Sequence, residues 1–241
     1  FVDSGVKVPV HIVYHGLEEE WFRERRKPQH PSIRFIEEIK RKYNPFVILY
    51  FLWHSGWRKG ADLASSLIQC LESNHVNYLL VIKKMDITDP ALKFFTKYKT
   101  FIVEGKLPRD WLIDLYDVAD LLLLPSRGGS FELSGLEALG RGIPVLMPNV
   151  GPWTEYTPPG LDKYLWVKTA RMVPVLPGNE IHDGTGAEWD VNDACEKALA
   201  IINNYQEVRA KAQEGINWIR EHFSWNVIKK ELWRVHEKYF G

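Results

Sequence analysis

The residues able to do chemistry in this 241-residue chain gather around two loops. In one, the leucine run Leu121–Leu124 passes into the turn Pro125-Ser126-Arg127-Gly128-Gly129-Ser130-Phe131 and then into a short helical pattern. Gly128 and Gly129 lack Cβ, so backbone N–H groups of the turn can approach an anion closely. The N-terminus of the helix that follows adds a favourable dipole. One turn inside that helix stands a single acid, Glu137, which could accept hydrogen bonds from ribose hydroxyls beside a bound phosphate. In the other loop, Trp57-Arg58-Lys59-Gly60 follows a strongly apolar run. A lysine point charge and an arginine fork at that junction suit a diphosphate. His54, just upstream, could also donate to a phosphate.

Taken singly, each of these has a plain alternative. The glycines could form a strand-to-helix turn with no ligand, and Glu137 could be a solvated helix carboxylate. Arg58-Lys59 could be a surface basic pair, and His54 could be structural. The opposed runs Glu18-Glu19-Glu20 and Arg23-Glu24-Arg25-Arg26-Lys27 read as solvated faces. His182-Asp183 offers two metal-ligand types without further partners, so no metal is expected. The chain has no Walker A, GxSxG or CxxC pattern.

Composition narrows the class. With 45% hydrophobic residues the chain can bury one large α/β domain, or a domain plus an arm. Formal net charge is zero, which speaks against a nucleic-acid partner held by bulk charge. The two cysteines, Cys70 and Cys195, fall in helical patterns; a disulfide framework is not expected, and a reducing, cytoplasmic setting is. No apolar run approaches the roughly 20 residues of a membrane span, and no signal peptide is evident. The chain opens on Phe1 and reads as a piece of something longer.

The elements that must position the two loops alternate between strand and helix. Strands are expected at 8–14, ending at Gly16, and at 46–53, where FVILYFLW suits a strand covered on both faces. Further strands are expected at 78–82, 100–103, 121–124, 144–147 and 165–168. Helices are expected at 32–43, with Ser32 as N-cap, and at 61–71, whose stripe is Leu63, Ala64, Leu67, Ile68 and Leu71. Others fall at 90–97, 109–118, 134–140, 192–203, 206–222 and 225–239, the last capped by Ser224. Residues 172–189 carry no period and are expected to form a long loop. The pattern specifies an α/β fold, a Rossmann-like parallel sheet with helices on both faces.

In order, these pieces resemble the carboxyl-terminal, donor-binding half of a GT-B glycosyltransferase of the retaining group 1, family 4. The resemblance covers nearly the whole chain. It lies in Val10 to Glu18 as the interdomain strand and turn, Lys59-Gly60 after the first core strand, and Gly105-Lys106-Leu107 with Trp111 to Asp120. It continues in Pro125 through Val145, which follows the pattern "PSr.EgFGl..lEA…G.PV", and in Phe223-Ser224-Trp225 with the final helix. The resemblance implies an interdomain arm (1–30), a nucleotide-sugar-binding domain (31–223) and a crossing helix (224–241).

Roles follow from the resemblance. Lys59 would bind the donor diphosphate, with His54 or Arg58 in place of the family's arginine. The Leu107 backbone would meet the nucleobase. Backbone N–H groups across Ser130, Phe131, Glu132 and Leu133 would hold the distal phosphate, and Glu137 the ribose. The donor would be a nucleoside-diphosphate sugar, with no cofactor and no metal, and the acceptor would sit on an amino-terminal half. The family pattern has a sugar-facing acid eight positions before Glu137; here that position is Gly129, and Glu132 stands where the pattern has glycine. Glu132, or backbone alone, is the expected substitute. Two other readings stay open: a non-catalytic nucleotide-sugar-binding or regulatory module, and a GT-B epimerase. The aromatic final helix (Trp225, Trp233, Tyr239, Phe240) is expected to be buried in a homodimer or against another subunit, or else on the domain's own sheet.

Overall fold

A computed structural model describes residues 5–53, 55–85, 89–180 and 184–241. After a short 3-10 turn at Glu19–Phe22 come α1 (Pro31–Tyr43), β1 (Phe46–Leu52), α2 (Ala61–Ser73) and β2 (Tyr78–Lys84). A 3-10 segment, Pro90–Phe95, leads to β3 (Thr100–Val103), α3 (Arg109–Val118), β4 (Leu121–Leu123), α4 (Leu133–Gly140) and β5 (Val145–Pro148). Then follow α5 (Asp162–Leu165), β6 (Trp166–Val167), β7 (Thr169–Pro174), β8 (Thr185–Trp189), α6 (Val191–Asn203), α7 (Tyr205–Phe223) and α8 (Trp225–Phe240).

Six strands form one parallel sheet in the order β3-β2-β1-β4-β5-β6. The apolar run of β1 explains its central place. Val47, Leu49 and Phe51 pack into a core with Ile33 and Ile36 of α1, Ile113 of α3 and Leu136 of α4. Ile48, Tyr50 and Leu52 face the other way, against Leu67 of α2 and Ala194 and Ala198 of α6. Helices therefore cover both faces, as the sequence implied. Strand order reverses between β1 and β4, and at such a switch point the loops leaving the carboxyl ends splay apart and open a crevice. Those two loops are the ones that carry Lys59 and Gly129.

Several expectations are corrected. Residues 8–14 form no strand; Val8 and Ile12 are exposed, and the arm's β-pairing is confined to one bridge, Leu17 to Ser224, among the described residues. With no neighbouring strand to pair with, alternating β-branched residues are not enough. Helix α1 begins at Pro31 with His30 as N-cap, because the fixed φ of proline suits a first helical position, so Ser32 lies inside the helix. Ser224 does flank α8, but without a side-chain capping bond. Residues 172–189 are not a plain loop: β7 and β8 pair antiparallel, Thr169 with Trp189 and Pro174 with Thr185. The charge runs are solvated only in part: Glu19, Glu20, Glu24, Arg25 and Lys27 are exposed, but the rest are half-buried and paired. Arg23 reaches Asp110 at 2.5 Å and Asp114 at 3.0 Å, Arg26 reaches Asp114 at 3.0 Å, and Glu18 pairs with Arg109 at 2.6 Å, strapping the arm to α3.

The cysteines also depart from expectation. Cys70 on α2 and Cys195 on α6 are disulfide-bonded, with Cα atoms 6.1 Å apart. The two helices pack side by side on one face of the sheet, which brings together residues 125 positions apart in sequence. That juxtaposition is tertiary, and spacing alone could not reveal it.

Candidate functional site

The phosphate end of the crevice is built where the β1 loop locks onto the β4 loop. Helix α2 starts from Gly60, whose backbone is left-handed (φ 67°) and so close to Pro125 that an added Cβ would lie 2.8 Å from the proline carbonyl carbon. Only glycine meets both conditions, and this contact sets Lys59 at the mouth of the crevice. The Arg127 amide donates to Arg58 O at 2.8 Å, and Arg58 Nη1 donates to Gly128 O at 3.0 Å. Arg58 thus supports the turn, while its Nε is buried with no hydrogen-bond partner among the described residues.

Lys59 Nζ donates to Glu132 Oε1 at 2.5 Å, with both side chains largely buried. Ser126 Oγ lies 3.2 Å from the same oxygen. Burial presses the Lys59 ammonium below its ordinary range, and the Glu132 carboxylate acts against that. Glu132 precedes α4 and has left-handed backbone (φ 59°, ψ 70°), a conformation that costs a residue with a β-carbon free energy. The first N–H groups of α4 have no partner inside the helix and face the crevice end of the sheet. Phe131 anchors the turn from below, its ring 5.3 Å from Tyr156 and 5.8 Å from Tyr14.

The other end is a cleft of about 320 Å³ between the arm and the α3 and α4 edge. Leu107, Leu133 and Glu137 line it, together with Gly16, Trp21 and Arg109. Glu137 accepts from the Tyr116 hydroxyl at 2.6 Å. Burial pushes the Glu137 carboxyl up to about 7, and the Tyr116 bond works in the opposite direction. Such a carboxylate, partly open to a cleft and held from behind by a phenol, can receive a vicinal diol.

The fold therefore gathers Arg58, Lys59, Gly129, Ser130, Phe131, Glu132, Leu133 and Glu137 along the two loops at the switch point, with Leu107 across the cleft from Glu137. His54 and the His182-Asp183 pair lie outside the described residues. Among the described residues no cluster of three or more His, Cys, Asp or Glu could hold a metal. Nor is any helix there long and apolar enough to cross a membrane.

Two residues escaped sequence reasoning. Tyr116 stood in the helix that carried part of the resemblance, but nothing local linked its hydroxyl to Glu137, 21 positions away. Arg127 is the organiser of the phosphate end. Its guanidinium is fully enclosed, makes two bonds of 2.7 Å to Asp62 and one of 2.6 Å to Glu188, and stacks 3.7 Å from the Trp57 ring centroid. Its Nη1 also donates to Trp57 O at 2.8 Å. One side chain thereby ties the Lys59 loop, α2 and the β7–β8 hairpin to the glycine turn. A charged residue beside two glycines was the only signal for it.

Comparison with known proteins identifies the family and the fold. The family described as "Family 4 Glycosyltransferase in conflict systems" matches residues 108–232, more than half of the chain. Uncharacterized protein 356 of Sulfolobus islandicus rod-shaped virus 1 is 36% identical over 241 residues, covering 99% of this chain and 66% of its own length. Anabaena HepE, solved in complex with UDP-glucose, superposes with a TM-score of 0.65 at 15% identity, over 95% of this chain and 57% of HepE. The carboxyl-terminal domain of a group 1 glycosyl transferase from Francisella tularensis (LpcC) superposes with a TM-score of 0.58 at 15% identity, over 87% of this chain and the whole of that domain. At these identities the solved structures show the fold: the Rossmann-like half of a GT-B architecture. The chain spans 66% and 60% of the two curated relatives it matches.

Proposed function

The chain belongs to the family 4 glycosyltransferases of conflict systems, and we propose that it holds the nucleotide-sugar donor for a retaining, metal-independent sugar transfer. The observation that carries this reading is the placement of Lys59 against the glycine turn at the switch point of the sheet, with Glu137 on the helix that the turn opens. When the bond between the sugar's anomeric carbon and the diphosphate breaks, negative charge grows on the leaving diphosphate. Lys59, Arg58 and the N–H groups of Ser130, Phe131, Glu132 and Leu133 would stabilise that charge, a task that divalent cations perform in phosphoryl transfer. Glu137 would take the ribose hydroxyls and the Leu107 backbone the nucleobase. Glu132 would face the transferred sugar in place of the acid missing at Gly129. The acceptor would be held by an amino-terminal half across the crevice, where closure excludes water and aligns the two substrates.

A thermal-shift screen of nucleoside diphosphates and their sugars tests this. Since HepE was solved with UDP-glucose, uridine donors come first. A donor at 100 times its dissociation constant stabilises the fold by about 2.7 kcal/mol. No shift with any donor, at concentrations up to millimolar, rules the reading out. A second reading, a nucleotide-sugar-binding module without transfer, draws on the absence of a side chain at Gly129. Transfer or donor hydrolysis by the complete protein separates the two. A cytoplasmic setting belongs to the proposal and is checked by fractionating cells that express the protein; recovery outside the cytoplasm contradicts it.

A further inference from the structure

The glycine turn departs from the family pattern twice, and the two departures fit each other. Where the pattern has an acid the chain has Gly129, and where it has glycine three residues later the chain has Glu132. Glu132 keeps the left-handed backbone that suits the glycine it replaces. Its side chain folds back over Gly129: a Cβ at position 129 would lie 2.6 Å from Glu132 Cδ and closer still to Oε1. The carboxylate can lie there only because position 129 has no side chain. From that place it contacts Lys59 Nζ at 2.5 Å and Ser126 Oγ at 3.2 Å. Acid and glycine have exchanged places, and the exchange puts an anion on the lysine that the diphosphate requires.

We propose that Glu132 is a resident counter-anion of the diphosphate site, one that a donor must displace from Lys59 in order to bind. This rests on the donor-site reading given above. A buried ammonium with no anion beside it is unfavourable, and Glu132 satisfies Lys59 while the site holds no donor. A phosphate oxygen reaching Lys59 then meets a carboxylate of like charge at the same Nζ. A diphosphate displaces it, because it brings more charge than one carboxylate and gains the N–H groups at the start of α4 as well. A weak monoanion has neither advantage and is kept out. Glu132 thus sets which anions the site accepts.

The test is calorimetric titration of inorganic pyrophosphate, which carries no base or sugar, into the complete protein and three variants. Glu132→Gly removes the carboxylate and relieves the left-handed backbone. Gly129→Ala leaves the carboxylate in the protein but pushes it off Lys59. Lys59→Ala removes the cation and is expected to abolish binding. Pyrophosphate is expected to bind about tenfold tighter to Glu132→Gly, the loss of one close like-charge contact, and tighter to Gly129→Ala. Tighter binding by either folded variant upholds the proposal; unchanged or weaker binding in every folded variant overturns it. Binding by the parent that depends on Lys59 but is indifferent to Glu132 leaves the donor site standing and removes the counter-anion alone. If neither pyrophosphate nor any nucleoside diphosphate binds the parent or the Glu132 variants, the donor-site reading fails and this inference with it.

Discussion

The Tyr116 hydroxyl on α3 donates to the Glu137 carboxylate on α4 across 2.6 Å, so the acid assigned to ribose is held from behind by a neutral phenol rather than by a cation. Burial pushes the carboxyl up to about 7, and neither the Tyr116 bond nor the Arg109 charge in the same cleft fully offsets it. Neutral Glu137 loses acceptor capacity for a diol. Affinity for a nucleotide sugar, whose diphosphate does not itself titrate near neutrality, is therefore expected to be full well above pH 7 and to fall as pH drops through it. Tyr116→Phe removes the bond that favours the carboxylate and is expected to move the midpoint upward. Dissociation constants measured between pH 5.5 and 9 check this, and a flat profile in both proteins contradicts it.

The same residue makes a stability prediction of definite sign. Between the unfolded value of 4.5 and the folded value of about 7, folded Glu137 retains a proton that the unfolded chain has lost. Its contribution to stability therefore declines as pH rises through that window and is level above it. At about 1.4 kcal/mol per pH unit, the full cost is about 3 kcal/mol at pH 8. Glu137→Gln is expected to recover up to that amount at pH 8 and little at pH 4, while weakening donor binding. Urea unfolding at the two pH values measures the difference.

Arg127 supports the site without lining it. Removing its guanidinium leaves Asp62 without its cation and Glu188 with Arg171 alone. Breaking an enclosed ion pair from one side costs about 3–5 kcal/mol. Arg127→Met is expected to lose stability on that scale in denaturant unfolding. Arg127→Lys is expected to rescue little, because an ammonium cannot form the two parallel bonds to Asp62. Donor affinity should fall in both variants even under conditions where they stay folded, since the Arg58-Lys59 backbone would lose its tether. Unchanged affinity in folded Arg127→Lys would show that the tether is dispensable.

The sheet and the two site loops were legible in the sequence because their causes are local. The apolar run of β1 and the strand-turn-helix pattern from Leu121 to Gly140 specify themselves through period and turn chemistry. The Glu137 helix and Lys59-Gly60 could be placed for the same reason. What stayed hidden depends on partners far along the chain. Residues 8–14 look like a strand until the absence of a pairing neighbour is known. Met172 to Trp189 looks like a loop because Pro174, Pro177 and Gly178 mask the alternation, and only the pairing of β7 with β8 reveals a hairpin. Arg127 and the Cys70–Cys195 bond have meaning only once α2, α6 and the hairpin converge.

The disulfide has a measurable consequence. It closes a loop of 125 positions between α2 and α6, and in the chain-entropy account a loop that long is worth about 5 kcal/mol, less any strain. Reduction, or Cys70→Ser, is expected to lower the thermal midpoint by about 10 °C or more and to leave donor affinity unchanged, because neither cysteine lines the cleft. Thermal unfolding with and without reductant decides it. Equal midpoints would mean that the bond adds nothing to the stability of the fold.

Helix α8 poses the last question. Of its sixteen residues only Ile228 is buried, while Leu232, Trp233, Tyr239 and Phe240 are exposed, Phe240 to 80%. The domain's own sheet therefore does not cover these aromatics, which removes one of the two expectations for them. The arm runs alongside, His11 bonding the Tyr239 hydroxyl at 2.7 Å, and it adds exposed Val8 and Ile12. Exposed aromatic side chains in this number on one helix invite the test of a partner. If a second copy covers it, light scattering will show a concentration-dependent dimer, and Leu232→Glu with Trp233→Glu will return it to monomer with donor affinity intact. If the amino-terminal half covers it, the complete protein will be monomeric and the same pair of substitutions will lower transfer more than donor binding. A monomer at high concentration whose transfer and solubility are both indifferent to the pair would show that α8 contacts neither.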